Sequence, residues 1–239
     1  MKGSRARALP FWISNALIVD GADDALKAQL SALPDVVEVR AERRYTMAKP
    51  VTAKQVLAAA AAAGPSWGVG RIGADAAWDQ GVLGGGVVVA TIDTGVDYAH
   101  PALVNQYRGN LGSGRFDHNY NWLDASRTCP TNAPCDVDGH GTHTMGSIVG
   151  GDGPGPFTPD TGVAPAARWI SAGCGPTFCD ESQILAAGQW VIAPYGDADH
   201  PADPAKRPHI VSNSWGGPGG DLSMQDMVRD MRNRFLVAA

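Results

Sequence analysis

The feature that most constrains the fold is the run VVVATIDTGVDYAHP, from Val87 to Pro101. Its β-branched apolar residues stop at Asp93, and glycines bound it at 84–86 and at Gly95. Such a short apolar run between breakers predicts a buried central strand of a parallel sheet. Functional sites of open α/β sheets lie at the carboxyl ends of strands, so we expect Asp93 in a site. The alternative is an Asp that only caps a turn.

A partner for this carboxylate is offered by the segment DGHGTH, from Asp138 to His143. A buried carboxylate is costly to desolvate unless it has a hydrogen-bonding partner. The two glycines allow a close backbone approach, and the small residues after them predict a helix that begins near His140. The positive end of a helix disfavours imidazolium, which keeps the ring available as a general base, while a carboxylate fixes its tautomer. Asp93 and His140 are therefore predicted to form two thirds of a catalytic triad.

Four motifs in one order resemble those of the subtilisin-like serine peptidases, the subtilases. They are IDTGVDYAHP from Ile92, DGHGTHTMG from Asp138, GVAP from Gly162 and SNSWGG from Ser212, and the resemblance spans about residues 11–239. It implies an α/β protein with the three-layer subtilisin-like fold and its parallel central sheet. It also implies a serine endopeptidase in which His140 takes the proton of a serine and Asp93 orients His140.

The same resemblance assigns a substrate-binding strand. The apolar run from His209 to Trp215 predicts a strand. In subtilases the end of this strand pairs with the backbone of the substrate, so Ser214, Trp215 and Gly216 would line specificity subsites. For Trp215 the alternative is ordinary packing in the core.

The nucleophile of the family is missing from these residues. Subtilases carry an Ala-Gly-Asn turn, whose Asn donates to the oxyanion, and later a Gly-Thr-Ser-Met-Ala motif that contains the nucleophile. Neither occurs in this sequence, and no Gly-x-Ser-x-Gly elbow surrounds the serines 113, 147, 214 or 223. We therefore expect a fragment that is inactive alone and whose partner is the C-terminal remainder of the catalytic domain. The alternatives are a half-enzyme completed by a second chain and a non-catalytic peptide-binding protein.

Three regions are predicted along the chain. Residues 1–45 resemble part of the ferredoxin-like subtilase propeptide, 46–66 a linker and 67–239 the N-terminal part of the catalytic domain. Within the first region we predict a strand over Trp12–Val19, a helix bearing leucines 26, 30 and 33, and a strand containing valines 37 and 39. An unrelated small docking module is the alternative. The linker holds a capping-box pattern at Thr52 and an alanine run, and propeptide cleavage is expected within it.

Further helices are predicted toward the C-terminus. One follows the strand at residues 167–172, is capped by Asp180 with Gln183, and presents an apolar face at positions 184, 187, 188 and 191. The next begins from an Asp221 cap, with its buried stripe at positions 224, 227, 228 and 231. A new strand is predicted to begin at Phe235.

The four cysteines allow three pairings. Their spacing favours two local bridges, Cys129–Cys135 and Cys174–Cys179, which would indicate an oxidising compartment and a secreted or extracytoplasmic protein. The alternative is four free cysteines in a cytosolic protein. No signal peptide is visible at the start of the chain, so either the natural N-terminus lies upstream or the protein stays inside the cell.

Composition and charge exclude several functional classes. The net charge of −5 argues against a nucleic-acid partner, and no apolar run has the length of a membrane span. No metal-hydrolase motif surrounds His140 and His143, so no catalytic metal or other cofactor is expected. We expect His143 in the core and the histidines 100, 118, 200 and 209 at the surface or in turns. Structural calcium is common in the family, but the sequence assigns no ligands for it.

Overall fold

The structure is a computed structural model that describes residues 6–47, 66–151, 160–217 and 224–232, together with the backbone of 236–238. Its helices are α1 (Asp24–Ser31), α2 (Trp67–Arg71), α3 (Ala74–Trp78), α4 (His140–Val149), α5 (Glu181–Ile192) and α6 (Gln225–Arg232), with a 3-10 turn at Pro204–Lys206. Its strands are β1 (Arg7–Phe11), β2 (Ala16–Asp20), β3 (Arg44–Met47), β4 (Val88–Asp93), β5 (Asn110–Gly112), β6 (Arg115–Phe116), β7 (Trp122–Asp124), β8 (Arg168–Gly173), β9 (Phe178–Asp180), β10 (Ile210–Asn213), β11 (Trp215–Gly216) and β12 (Leu236–Ala238).

A five-stranded sheet in the order β12-β10-β4-β8-β7 forms the centre of the molecule, and all its neighbouring strands are parallel. The predicted central strand is confirmed as β4, which pairs with β10 on one side and β8 on the other. Its residues are almost completely buried because both faces of the sheet are covered. Asp93 is the last residue of β4 and lies opposite Gly173 of β8.

Two apolar clusters cover the two faces of this sheet, so the fold has three layers. On one face Ile92 and Ile170 pack in a cluster with residues of α5 and α6, including Trp190 and Met227. On the other face lies the cluster of Val89 and Trp169, with residues of α4. The alternation along β4 places its even-numbered apolar side chains toward α5 and Val89 toward α4. The predicted α/β fold with a parallel central sheet is confirmed in these parts.

The helices predicted after residue 180 are present. Gln183 accepts a hydrogen bond from the Asp180 amide at 2.8 Å, which completes the predicted capping box of α5. The predicted apolar face of α5 is buried at positions 184, 187, 188 and 191. In α6, Met227 and Met231 are fully buried. The predicted Asp221 cap and the predicted strand start at Phe235 lie outside the described residues.

The strands predicted for the N-terminal region are wrong, although its helix α1 is present. Residues 12–15 turn, so β1 and β2 form an antiparallel hairpin instead of one strand over Trp12–Val19. Residues 37 and 39 belong to no strand, and Val37 is fully exposed. The hairpin turn is set by tertiary contacts: Phe11 and Ile13 are buried, and the Trp12 amide donates to Gln189 of α5 at 2.8 Å. These contacts outweigh the local alternation from which the single strand was predicted.

A second sheet connects the N-terminal region to the rest of the chain. Strand β3 lies between β11 and β9 and is antiparallel to both. The expected strand over His209–Trp215 is therefore divided, because β10 ends in the central sheet at Asn213 while β11 belongs to this smaller one. The predicted linker begins inside β3, and its residues 48–65, including the Thr52 pattern, lie outside the described residues.

Candidate active site

The site is built around the carboxylate of Asp93, which has no solvent exposure. Its Oδ1 lies 2.7 Å from Nδ1 of His140 and accepts the Thr94 amide at 2.6 Å. Its Oδ2 accepts from the hydroxyl of Thr144 at 3.1 Å. Both oxygens of the buried carboxylate therefore have partners, as its desolvation requires. Thr144 was not predicted, although it follows His140 by one helical turn.

His140 stands at the first position of α4 and is only 7% exposed. Since Nδ1 faces Asp93, the ring directs Nε2 away from the carboxylate, and among the described residues Nε2 has no hydrogen-bond partner. This arrangement leaves one ring nitrogen to exchange a proton with a reacting group. The contact expected between Asp93 and His140 is present.

The two glycines beside His140 serve different purposes. Gly139 precedes the helix with a φ of 95°, in the left-handed region that favours glycine. At Gly141 a Cβ atom would lie 2.0 Å from the carbonyl oxygen of Gly95, so the α4 backbone can approach the end of β4 only without a side chain. The Gly141 amide donates to the hydroxyl of Thr94 at 2.8 Å in this contact. The expected close backbone approach is therefore located at Gly141.

Asp136, which was not predicted as a site residue, links the segment after Asp93 to the segment that contains His140. Its Oδ1 accepts from the Thr94 hydroxyl at 2.9 Å and from the Gly139 amide at 2.8 Å. Its Oδ2 accepts from the amide and the hydroxyl of Thr142 at 2.8 and 2.7 Å. An Asp shortly before a helix that begins at a glycine is a capping signal that could have identified it.

Both predicted disulfides are confirmed. Cys129–Cys135 closes a loop immediately before Asp136, and Cys174–Cys179 joins the end of β8 to β9. The first bridge tethers the segment that holds Asp136. The second fixes β9 beside the end of the central sheet.

The residues predicted to bind substrate lie along the edge of the second sheet. Trp215 and Gly216 form β11, and Ser214 precedes it directly. Their partner is β3 of this same chain, with Met47 opposite Trp215 and Thr46 opposite Gly216. The half-buried ring of Trp215 meets Tyr45 edge to face, with 5.4 Å between the ring centroids. Strand β3 therefore lies between β11 and β9, and the position that it fills between them is called the channel below.

The other histidines are placed outside this site. The expectation that His143 is a core residue is wrong, because its position on α4 faces solvent. His100 and His209 are exposed as expected, and His200 is partly exposed. His118 is half-buried, with Nδ1 at 2.9 Å from the hydroxyl of Tyr107. In the part of the chain that the structure describes, no group of three or more His, Cys, Asp or Glu side chains is arranged to hold a metal ion.

Strong electrostatic contacts also connect the N-terminal region to α5. Arg40 donates to Glu181 through both terminal nitrogens, at 2.7 and 2.6 Å. This hydrogen-bonded carboxylate raises the pKa of the Arg40 guanidinium against the opposing effect of its partial burial. No helix within the described ranges is long and apolar enough for a membrane crossing.

Comparison with known proteins gives one family match and several similar proteins. Residues 84–239 match the family model of the Subtilase family. Bacillopeptidase F of Bacillus subtilis (strain 168) is 35% identical over 247 aligned positions, which cover 99% of this chain and 16% of that protein. The minor extracellular protease Vpr of the same organism is 42% identical over 79 positions, covering 33% of this chain and 9% of Vpr. The major intracellular serine protease of Bacillus subtilis (strain 168) is 30% identical over 171 positions, which cover 71% of this chain and 47% of that protein.

This chain spans less than half of the length of each of these three relatives. The family match covers more than half of the chain and includes the β4 and α4 segments that carry Asp93 and His140. The chain belongs to the subtilase family of serine peptidases.

Proposed function

We propose that this chain supplies the Asp and the His of the Asp-His-Ser triad of a serine endopeptidase. The observation that carries the proposal is the buried contact of 2.7 Å between Asp93 and His140 at the carboxyl end of the central strand. Asp93 holds His140 in the tautomer that leaves Nε2 unprotonated. Nε2 then takes the proton of the nucleophilic serine and returns it to the leaving amine, while Asp93 stabilises the imidazolium that forms.

The nucleophilic serine and the Asn that donates to the oxyanion lie outside these 239 residues in this proposal. The sequence contains neither family motif, and the relatives extend well beyond the aligned part. The chain alone is therefore expected to be inactive, with the rest of the catalytic domain as its partner. The chemistry uses protein side chains alone, so we propose that no metal or cofactor takes part in it.

Substrates are proposed to bind as an added strand beside β11. The channel between β11 and β9 already holds an extended segment, β3, in antiparallel register. A substrate backbone in the same position would pair with Gly216, while Trp215 would contact its side chains and Ser214 would border the channel. Protein or peptide substrates fit this geometry.

We infer that residues 1–45 act as a propeptide that, together with the first linker residues Thr46 and Met47 of β3, covers this channel. The hairpin packs Phe11 and Ile13 against α5 and α6, and the segment continues into the channel as β3. An occupied channel excludes substrate. Cleavage within residues 46–66 would then release the region and leave a mature domain that starts near Trp67. The two disulfides support a secreted or extracytoplasmic location.

The test is a peptidase assay on a longer protein that joins this chain to the region carrying the Ser motif. We expect hydrolysis of peptides, loss of hydrolysis in His140→Ala, and a changed peptide preference in Trp215→Ala. Leu111→Ala is the control, because Leu111 is 56% exposed on β5, which pairs with β6 outside the sheet that contains β11, β3 and β9. Hydrolysis that survives His140→Ala would contradict the proposed role of His140. An unchanged preference in Trp215→Ala would contradict the subsite assignment.

A further inference from the structure

Glu181 is a buried carboxylate that forms hydrogen bonds with the N-terminal region. It is the first residue of α5 and is only 4% exposed. Arg40 binds its two oxygens with two nitrogens, and the Arg43 amide donates to Oε2 at 3.2 Å. The Glu181 amide in turn donates to the carbonyl of Arg43 at 2.9 Å. Among the described residues, nothing outside 40–43 forms a hydrogen bond with the Glu181 carboxylate.

A second arginine, Arg44, contacts Phe178 and Asp180, which lie just before Glu181 in the chain. Phe178, Asp180 and Glu181 are together called the wall below. Arg44 donates from Nε to Oδ1 of Asp180 at 2.9 Å. Its guanidinium carbon lies 3.8 Å from the centroid of the Phe178 ring. Arg44 and Asp180 are also opposite each other in the antiparallel register of β3 and β9. The contact of the side chains therefore follows from the position of the peptide backbone in the channel.

The chemistry of this wall matches arginine better than lysine. A guanidinium is planar and binds a carboxylate through two parallel hydrogen bonds, as Arg40 does, and it stacks on an aromatic ring, as Arg44 does. The compact ammonium of lysine reproduces neither geometry. Residues 40–43 enclose Glu181, and a carboxylate that is enclosed in this way is costly to leave without a cation. A peptide that covers Glu181 in the same position is therefore expected to bind less well when it carries a neutral side chain there.

We propose that Phe178, Asp180 and Glu181 form an arginine-selective subsite for extended peptides, which residues 40–44 of this chain occupy in the structure. The inference rests on the proposed function, since it requires that substrates take the position of β3 between β11 and β9. The selected ligand is a peptide with one arginine opposite Asp180 and a second arginine four residues closer to its N-terminus. The wall thereby determines specificity on the side of the channel opposite Trp215.

The test compares peptides that span residues 38–56 and differ only at the positions of Arg40 and Arg44. Each position carries Arg, Lys or Gln, and the longer protein with the Ser motif is the enzyme. We expect kcat/KM to fall by about tenfold for Gln at the position of Arg40, equivalent to about 1.4 kcal/mol. For Gln at the position of Arg44 we expect a fall of about threefold, because the Arg44 side chain is 60% exposed and solvent screens its ion pair. Lys is expected to recover only part of this loss. The variants Asp180→Asn and Glu181→Gln should remove the discrimination at their respective positions, and Asn still caps a helix, so α5 keeps its N-cap.

Binding provides a second readout that does not depend on turnover. Fluorescence anisotropy of the labelled Arg and Gln peptides is measured with the His140→Ala protein. The region 1–47 competes equally with both peptides, so the ratio of their apparent Kd values still reports selectivity. Asp226→Asn is the control, because the Asp226 carboxylate is exposed on α6 and pairs with Arg229; we expect this variant to keep the arginine preference.

The possible outcomes separate the two proposals. Equal Kd values for Arg and Gln peptides overturn the arginine subsite, whether or not the peptides are cut. Arginine-dependent binding to the His140→Ala protein, combined with no hydrolysis of any of the peptides by the longer protein with His140 intact, supports the subsite and contradicts the proposed peptidase function. Arginine preference that persists unchanged in both Asp180→Asn and Glu181→Gln also overturns the subsite, because the selectivity would then come from other residues.

Discussion

Nδ1 of His140 lies 2.7 Å from Oδ1 of Asp93, although 47 positions separate the two residues in the chain. Asp93 ends the central strand β4, and His140 begins α4. The contact depends on the close passage of the α4 backbone at Gly141 past the carbonyl of Gly95. The geometry of the pair is thus determined by backbone packing as well as by the two side chains.

The first prediction concerns the carboxylate itself. In the longer protein that contains the nucleophile, Asp93→Asn is expected to reduce kcat by about 10⁴-fold, the loss known for this change in an unrelated serine peptidase fold. KM should change little, because the amide alters the tautomer of His140 and leaves the substrate channel intact. Steady-state kinetics on one peptide measures both. A large increase in KM with an unchanged kcat would contradict the proposed role of Asp93.

The second prediction compares two glycines of the same helix. In Gly141→Ala the new Cβ would overlap the Gly95 carbonyl, so we expect a loss of about 1–3 kcal/mol in the free energy of unfolding. Gly146→Ala is the matched control, because a Cβ there meets nothing within 4 Å. It should stabilise the protein by about 0.5–1 kcal/mol, since alanine loses less entropy in a helix. Denaturant unfolding measures both, and equal effects would contradict the packing at Gly141.

The third prediction concerns the order in which the disulfides are reduced. Cys174 and Cys179 are completely buried, whereas Cys129 and Cys135 are partly exposed. A mild reductant under native conditions should therefore open Cys129–Cys135 first, because thiolate attack requires access to the sulfur. Alkylation with isotopically distinct reagents at successive times, followed by peptide mass mapping, gives the order. Earlier labelling of Cys174 and Cys179 would be inconsistent with the structure.

The fourth prediction is a pH dependence of stability that arises from His118. Burial lowers the pKa of this imidazole below its ordinary value of 6.5, with the nearby Asp117 acting in the opposite direction. Between the folded pKa and 6.5 the unfolded state binds more protons, so stability falls as the pH falls through this window. The free energy of unfolding should decline more steeply from pH 7 to pH 5 in the wild type than in His118→Gln. Identical pH profiles would contradict this assignment.

The sequence was sufficient to predict the parts of the fold in which local pattern and burial agree. The β-branched run of β4, the small residues of α4 and the capping box of α5 each specify an element that is buried where the pattern indicates. The disulfides were predictable because each pair brackets a short loop. The contact between Asp93 and His140 followed from family motifs whose glycines permit the close approach.

Other parts depend on contacts between distant segments and could not be read from local pattern. The turn at residues 12–15 is held by packing on α5, and β3 pairs with strands more than 130 positions away. Asp136 acts through hydrogen bonds to two separate segments, near Thr94 and Thr142. His143 was assigned to the core on residue type, although its helical position faces solvent.

The most direct test of the central claim is labelling with a serine-directed phosphonate, which reacts only with an activated serine. This chain alone is expected to remain unlabelled. The longer protein, or this chain mixed with a separately made C-terminal part that docks onto it, should be labelled at a serine outside residues 1–239, and His140→Ala should abolish that labelling. Stoichiometric labelling of the isolated chain, mapped by mass spectrometry to one of its own serines, would contradict the account.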